Sequence, residues 1–245
     1  MSAPIDSPTD RPAPAADALP AVWITRAEPG AAATAGRVAA LGFRPLVLPL
    51  LETVDLPVDR AALACDGPLA FTSANGVRAF ARLCPRREGP VYAVGSATGA
   101  AARQAGFRDI IEGPADVAAL ARRILADPPS GEVLHAAARE PAGDLAGRLA
   151  AAGRPVRTVP VYATRETQPP AEALRAARAA PVVLVHSPRA AASLARLLAE
   201  GAARPFVLGL SEACLAPLAG LDLAGRAAPE TPLETDLLNL LASRR

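Results

Sequence analysis

The chain has 245 residues, 51% of them apolar, with 26 basic against 24 acidic residues and a net charge of +2. That length suits one large domain or two of about 100–150 residues. The balanced, interspersed charge argues against a nucleic-acid-binding stripe, and no apolar run reaches the roughly 18 residues of a membrane span.

The first twenty residues, "MSAPIDSPTDRPAPAADALP", are rich in Pro, Ala and Asp. They lack the basic and apolar regions of a signal peptide and are expected to form a disordered tail. This counts against a periplasmic-type solute binder. "AVWIT" (21–25) then reads as a strand, followed by a helix to about Leu41 with Gly42 as its C-terminal cap. "PLVLPL" (45–50) reads as the next strand. "PLAFT", a helix, "PVYAVG" (90–95), a helix to Gly106 and a helix over "ADVAALARRIL" (115–125) complete a first half. The second half runs "EVLHA" (132–136), a helix capped by Gly153, "PVRTVPVYAT" (155–164), "PVVLVHS" (181–187), a helix, "PFVLGL" (205–210), a helix, and a last helix near 232–242. Strands alternating with helices of this length predict an α/β fold with parallel sheets covered on both faces. Aromatic residues make up only 3%, so the core is expected to be Ala, Leu and Val on closely packed helices.

The halves look like copies. Ser73 and Ser187, Gly95 and Gly209, and Gly106 and Gly220 each lie 114 residues apart; Gly36 and Gly147, Gly42 and Gly153, and Pro49 and Pro160 each lie 111 apart. A duplicated α/β unit implies two similar domains with a cleft between them. Ligands of parallel sheets bind beyond the carboxyl ends of the strands. The strand-to-helix junctions there are "ITRAEPG" (24–30), "FTSAN" (71–75), "VGSAT" (94–98), "VHSPR" (185–189) and "LGLSE" (208–212). They put Thr25, Arg26, Ser73, Ala74, Asn75, Gly95, Thr98, Ser187, Arg189 and Ser211 forward as binding candidates. Helix N-termini attract anions through free N–H groups and the helix dipole. Ser, Thr and Asn are preferred N-caps anywhere, so one junction alone signals only capping. Recurrence on the same face of two repeats points to binding of a polyanion.

Other chemistries find no support. Every basic residue is Arg, so a lysine-bearing phosphate loop is excluded, and no G-x-G-x-x-G follows a strand. His135 and His186 lack partners at metal spacing and read as structural or incidental. Cys65, Cys84 and Cys214 are odd in number and widely spaced, which fits a reduced, cytoplasmic protein without a disulfide framework or zinc site. Tyr162, in "VPVYATR", ends a strand linking the halves, where a phenol can donate a proton to a departing oxygen. It can equally be a packed linker residue with a wet tip. Tyr92 lies inside a strand and reads as core.

The ordered set "ITRAEPG", "GFRPLVLPLLET", "AFTSANGV", "VYAVGSATGAAARQAGF", "GRPVRTVPVYATRE" and "HSPRA", from residue 21 to 242, resembles the uroporphyrinogen-III synthase family. The resemblance implies a chain that crosses twice between two domains. Residues 21–50 and 164–245 would form one and 51–163 the other, with a two-stranded connector near Pro49–Val54 and Val159–Arg165. It implies cofactor-free closure of hydroxymethylbilane, a linear tetrapyrrole with many carboxylates, with loss of water and inversion of the last ring through an azafulvene and a spiro intermediate. Tyr162 falls on the family's conserved tyrosine as the catalytic proton donor, and Ser73, Thr98 and Ser187 on its conserved hydroxyls. Arg26, Asn75 and Arg189 would contact carboxylates, with Arg139 supplying the basic group that "HAAAREPAG" (135–143) otherwise lacks. Hydroxymethylbilane synthase is a candidate partner, and a cytoplasmic monomer is expected. Glu212 in "GLSEA" and His186 in "VHSPR" depart from the usual pattern. Glu212 and the Gly-poor "HAAARE" keep a second reading in play, a tetrapyrrole-binding or regulatory module with the same fold and no turnover.

Overall fold

The computed structural model describes residues 19–114, 116–128 and 130–244. Residues 1–18 of the expected tail, and Ala115 at the start of one expected helix, lie outside the described residues. The elements are β1 (Ala21–Ile24), α1 (Gly30–Ala40), β2 (Arg44–Val47), β3 (Leu51–Asp55), β4 (Leu69–Phe71), α2 (Ala74–Leu83), β5 (Val91–Ala93), α3 (Ser96–Gln104), β6 (Ile110–Glu112) and α4 (Val117–Ala126). They continue with β7 (Val133–Ala138), α5 (Leu145–Ala151), β8 (Val156–Glu166), α6 (Ala171–Arg178), β9 (Val182–Val185), α7 (Pro188–Ala199), β10 (Phe206–Gly209), α8 (Glu212–Leu215), β11 (Gly225–Ala227) and α9 (Glu234–Ala242).

The chain divides into two units: one runs to Glu52 and resumes at Glu166, and the other spans Thr53–Arg165. The first holds a sheet in the order β11-β10-β9-β1-β2, parallel at each pairing. The sheet of the second has the order β3-β8-β7-β4-β5-β6, parallel from β8 to β6. β3 runs against β8: the Leu56 N–H donates to Val161 O at 3.0 Å and the Thr167 N–H to Leu50 O at 3.1 Å, so residue numbers rise on one strand as they fall on the other. The expected strand over 45–50 thus ends at Val47, residues 48–50 form a break, and a second strand begins at Leu51. Pro49 there lacks an N–H for a ladder.

The two parallel orders are the same order. β11, β10, β9, β1 and β2 correspond to β6, β5, β4, β7 and β8, so each unit joins the opening strands of one repeat to the closing strands of the other. The paired glycines confirm the register. Gly42 and Gly153 end matching helices at φ 79° and 71°, and Gly106 and Gly220 have φ 95° and 84°, where a side chain is strained.

Strand residues alternate between two apolar layers in each unit, as sheets covered on both faces require. In the first, Trp23, Val183, Val185 and Val207 pack with α7, while Val22, Ile24, Leu184 and Leu208 pack with α1 and α9. In the second, Phe71, Leu134 and Ala136 pack with α2 and α3, and Ala70, Tyr92 and Val133 with α4 and α5. Phe71, Phe80 and Phe107 form an edge-on and tilted trio with centroids 5.6–6.3 Å apart. Ala-rich helices let backbone approach the sheet, so three phenylalanines suffice to fill the deepest part. No helix among the described residues is long and apolar enough to cross a membrane, and the three cysteines are free thiols.

Candidate functional site

In the Thr53–Arg165 unit the site forms where β4 meets α2. Ser73 leaves β4 in extended conformation and caps α2, its Oγ accepting from the Gly76 N–H at 3.1 Å. The same Oγ lies 2.7 Å from the Tyr162 phenol oxygen. Tyr162 reaches it because of a bulge. β8 pairs Pro160 with Ala137 but Tyr162 with Ala138, leaving Val161 as the extra residue. Strict alternation would send Val161 and Tyr162 to opposite faces; with the bulge, Val159, Val161 and Tyr162 all join one apolar cluster. The Arg139 N–H closes the end of the ladder on Tyr162 O at 2.8 Å.

Gly76 makes the approach possible. A Cβ there would lie 2.7 Å from Ala136 O and 3.7 Å from the Tyr162 ring, so any side chain would push α2 off β7. Below the pair, His135 is buried inside β7, with Nε2 3.2 Å from Thr72 Oγ1 and Nδ1 3.4 Å from Thr158 Oγ1. Burial pushes its pKa down to about 4, so at neutral pH it is an uncharged link between three strands. Asn75 donates from Nδ2 to Thr53 Oγ1 at 3.2 Å and accepts from Arg78 Nη1 at 3.1 Å. One turn on, Arg82 clasps Asp55 at 2.6 and 2.5 Å. That hydrogen bond holds the Asp55 carboxyl below its ordinary range, and together the contacts lace β3 to α2.

In the other unit the strand ends carry an ionic cluster. Arg26, just past β1, lies over Gly30, whose Cβ would meet the guanidinium carbon at 2.5 Å. Its Nη1 is 3.3 Å from Thr34 Oγ1 and 3.2 Å from Glu234 Oε1. Glu234, the first residue of α9, also accepts from Thr34 Oγ1 and from Arg37 Nη1 at 2.6 Å. Burial works against its charge, but the Thr34 hydrogen bond and the two guanidinium groups prevail and hold its pKa below the ordinary value. His186, just past β9, is 3.8 Å from Glu234 Oε1. Burial, then the Arg26 charge, push it down to about 4 against the pull of Glu234, and both its ring nitrogens are buried without a hydrogen-bond partner. Ser187 caps α7 by accepting from the Ala190 N–H at 3.2 Å, repeating Ser73.

The structure thus brings Tyr162, Ser73, Ala74 and Asn75 together at one strand edge, with Arg139 exposed beside them. Gly95 caps α3 and Ser211 caps α8, the Ser211 hydroxyl donating to Cys214 Sγ at 3.4 Å. Arg189, in the first turn of α7, lies close enough to Glu166 to lower its pKa after the larger effect of Arg196. Thr25 is fully buried, its hydroxyl donating to Leu184 O at 2.8 Å, which pins β1 to β9. Thr98 is buried in the first turn of α3, where Ser96 and Ala97 are the exposed residues. His135 sits within β7, which runs two residues past the expected strand over 132–136. Glu212 is exposed at the start of α8. Gly76, Gly30, Thr34 and Glu234 were missed. A glycine in the first turn of an otherwise good helix was a usable signal for Gly76, whereas nothing local marks Glu234, some 200 residues from Thr34.

A sequence model of one protein family, described as uroporphyrinogen-III synthase HemD, matches residues 32–239. Curated proteins yield no significant match. Among solved structures, the chain is similar to uroporphyrinogen-III synthetase from Helicobacter pylori, at 16% identity and TM-score 0.66, covering 93% of this chain and 100% of that one. It is also similar to a mutant uroporphyrinogen III synthase from Thermus thermophilus, at 18% identity and TM-score 0.54, covering 91% and 98%. At such identities the two structures speak for the fold.

Proposed function

The chain belongs to the uroporphyrinogen-III synthase family, and from that premise we propose that it closes hydroxymethylbilane to uroporphyrinogen III, with loss of water and inversion of the last pyrrole ring. The observation that carries this reading is the family match across residues 32–239, which takes in nearly all of both sheets. It is an enzyme of tetrapyrrole biosynthesis.

Tyr162 is the proton donor to the departing hydroxyl. Its phenol is held at 2.7 Å from Ser73 Oγ, whose lone pair already accepts the Gly76 N–H. Ser73 can therefore donate its own proton to the phenol oxygen and leave the phenol proton free for substrate. When that proton leaves with the hydroxyl as water, the phenolate faces a hydroxyl donor at the positive end of α2. Such proton transfer contributes roughly 100-fold or more. The remaining catalysis is positioning of a flexible chain so that one closure wins. Carboxylates are met by Arg26, Arg139 and Arg189 and by the N-terminal turns at Ala74, Asn75, Gly95, Ser187 and Ser211. We also assign it, on the family's chemistry, to the cytoplasm as a monomer receiving substrate from hydroxymethylbilane synthase.

The test is to incubate the protein with hydroxymethylbilane, oxidise the products and separate the isomers. Type III product supports the reading. Only the type I isomer that forms spontaneously would sink it, and binding of the tetrapyrrole without turnover would favour the regulatory alternative.

A further inference from the structure

The pose of Arg26 is dictated from three sides. Its guanidinium lies against Gly30, where no side chain could fit, and Nη1 is engaged by Thr34 at 3.3 Å and by Glu234 at 3.2 Å. Glu234 is itself fixed by Thr34 and by Arg37. The hydrogen bond and ion pair of Arg26 both fall on Nη1, while Nη2, Cζ and Nε are its atoms nearest Gly30. The edge formed by Nε and Nη2 keeps its donors unused among the described residues, and that edge has the fork geometry that matches a carboxylate. Beside it, the His186 imidazole is buried with neither nitrogen hydrogen-bonded. A buried polar group in that condition calls for a partner that the folded chain does not supply.

We propose that Glu234 is a positioning residue. Together with Thr34 and the Gly30 slot it holds Arg26 as a preformed receptor whose unpaired Nε and Nη2 donors, at the rim of that slot, take one substrate carboxylate, with His186 as the second polar contact of that subsite. This rests on the reading of the protein as a tetrapyrrole cyclase. A loose arginine must lose rotamer freedom when it binds; one already seated does not, and the benefit appears in substrate affinity rather than in the chemical step. The charge count supports a receptor. Arg26 and Arg37 outnumber Glu234, and with His186 neutral the cluster keeps one net positive charge.

The experiment measures KM and kcat for hydroxymethylbilane, and binding of an octacarboxylate porphyrin (uroporphyrin III) by fluorescence, in Glu234→Gln, Arg26→Ala and the double variant. Glu234→Gln is expected to raise KM and the porphyrin Kd by about tenfold, with kcat changed by less than about twofold. In the Arg26→Ala background the same substitution is expected to change neither, because the receptor it seats is gone. Gly30→Ala, which leaves every charge in place but fills the slot, should reproduce the affinity loss. An unchanged KM in both Glu234→Gln and Gly30→Ala overturns the proposal. So does an equal effect of Glu234→Gln with and without Arg26, the mark of a merely structural ion pair. If the wild-type protein forms no type III product, the cyclase reading fails, while porphyrin binding still reads the Arg26 seat on its own.

Discussion

Two junctions 114 residues apart, at Ser73 and Ser187, begin as the same device and end as different ones. Each serine leaves a buried parallel strand in extended conformation and caps the following helix through a backbone N–H three residues on. At Ser73 the surroundings are neutral hydroxyls and a phenol: Thr72, Thr158, His135 and Tyr162. At Ser187 they are ionic, with Arg26, Arg37, Glu234 and an unpartnered His186. On the proposed reading, the duplicated scaffold keeps the capped strand end and divides the work, with proton transfer at one copy and carboxylate anchoring at the other. The reason lies in neighbouring strands. β8 brings a tyrosine through a bulge to the Ser73 edge, while its counterpart β2 ends in Val47.

The largest effect is expected from Tyr162→Phe, which keeps the packing but removes the proton. Its kcat should fall by about 100-fold or more without vanishing, since positioning persists; full activity would remove Tyr162 from the donor role. Gly76→Ala strikes the same pair through the backbone, since the new methyl meets Ala136 O at 2.7 Å. A loss of about 2–3 kcal/mol in chemical denaturation is expected, in the range of overpacked cores, with kcat falling alongside. Ser73→Ala should lower kcat by about tenfold, the weight of one hydrogen bond to a developing charge.

Acid stability sharpens the contrast between the two histidines. Both have folded pKa values near 4 against an ordinary 6.5, so the unfolded chain takes up the extra protons. Each site therefore contributes fully above about pH 6.5, and its contribution is lost as pH falls toward 4, on the order of 3 kcal/mol. His135→Gln should flatten that dependence in urea melts between pH 7 and 4.5; an unchanged slope would mean the ring is reached by solvent. The smallest effect belongs to Asp55→Asn. The Arg82–Asp55 clasp is about half exposed, and such pairs are worth no more than about 1 kcal/mol.

Much of the fold was legible. Alternating apolar runs and Ala-rich helices indicated parallel sheets, and the constant offsets of Ser73, Gly95 and Gly106 from their counterparts revealed the duplication. The edge strands β6 and β11 were not legible: both are only partly buried, so they lack the wholly buried run that marks the equally short β4 and β5. Site residues divided along the same line. Ser73 and Ser187 were readable because capping is local. The inward turn of Thr25 and Thr98 was not, because a hydroxyl at a strand or helix end faces core or solvent according to neighbours distant in sequence. The Val161 bulge, which decides where Tyr162 points, leaves no mark beyond Pro160 one residue earlier. Glu234 and His186 met Arg26 only through folding.

The division of labour is tested most directly by measuring kcat and KM for hydroxymethylbilane in Tyr162→Phe and Arg26→Ala side by side. The account predicts opposite signatures: kcat collapses with KM little changed in the first, and KM rises about tenfold or more with kcat largely retained in the second. If both variants lose kcat in the same proportion, or both lose only affinity, the two junctions do one job and the account is wrong.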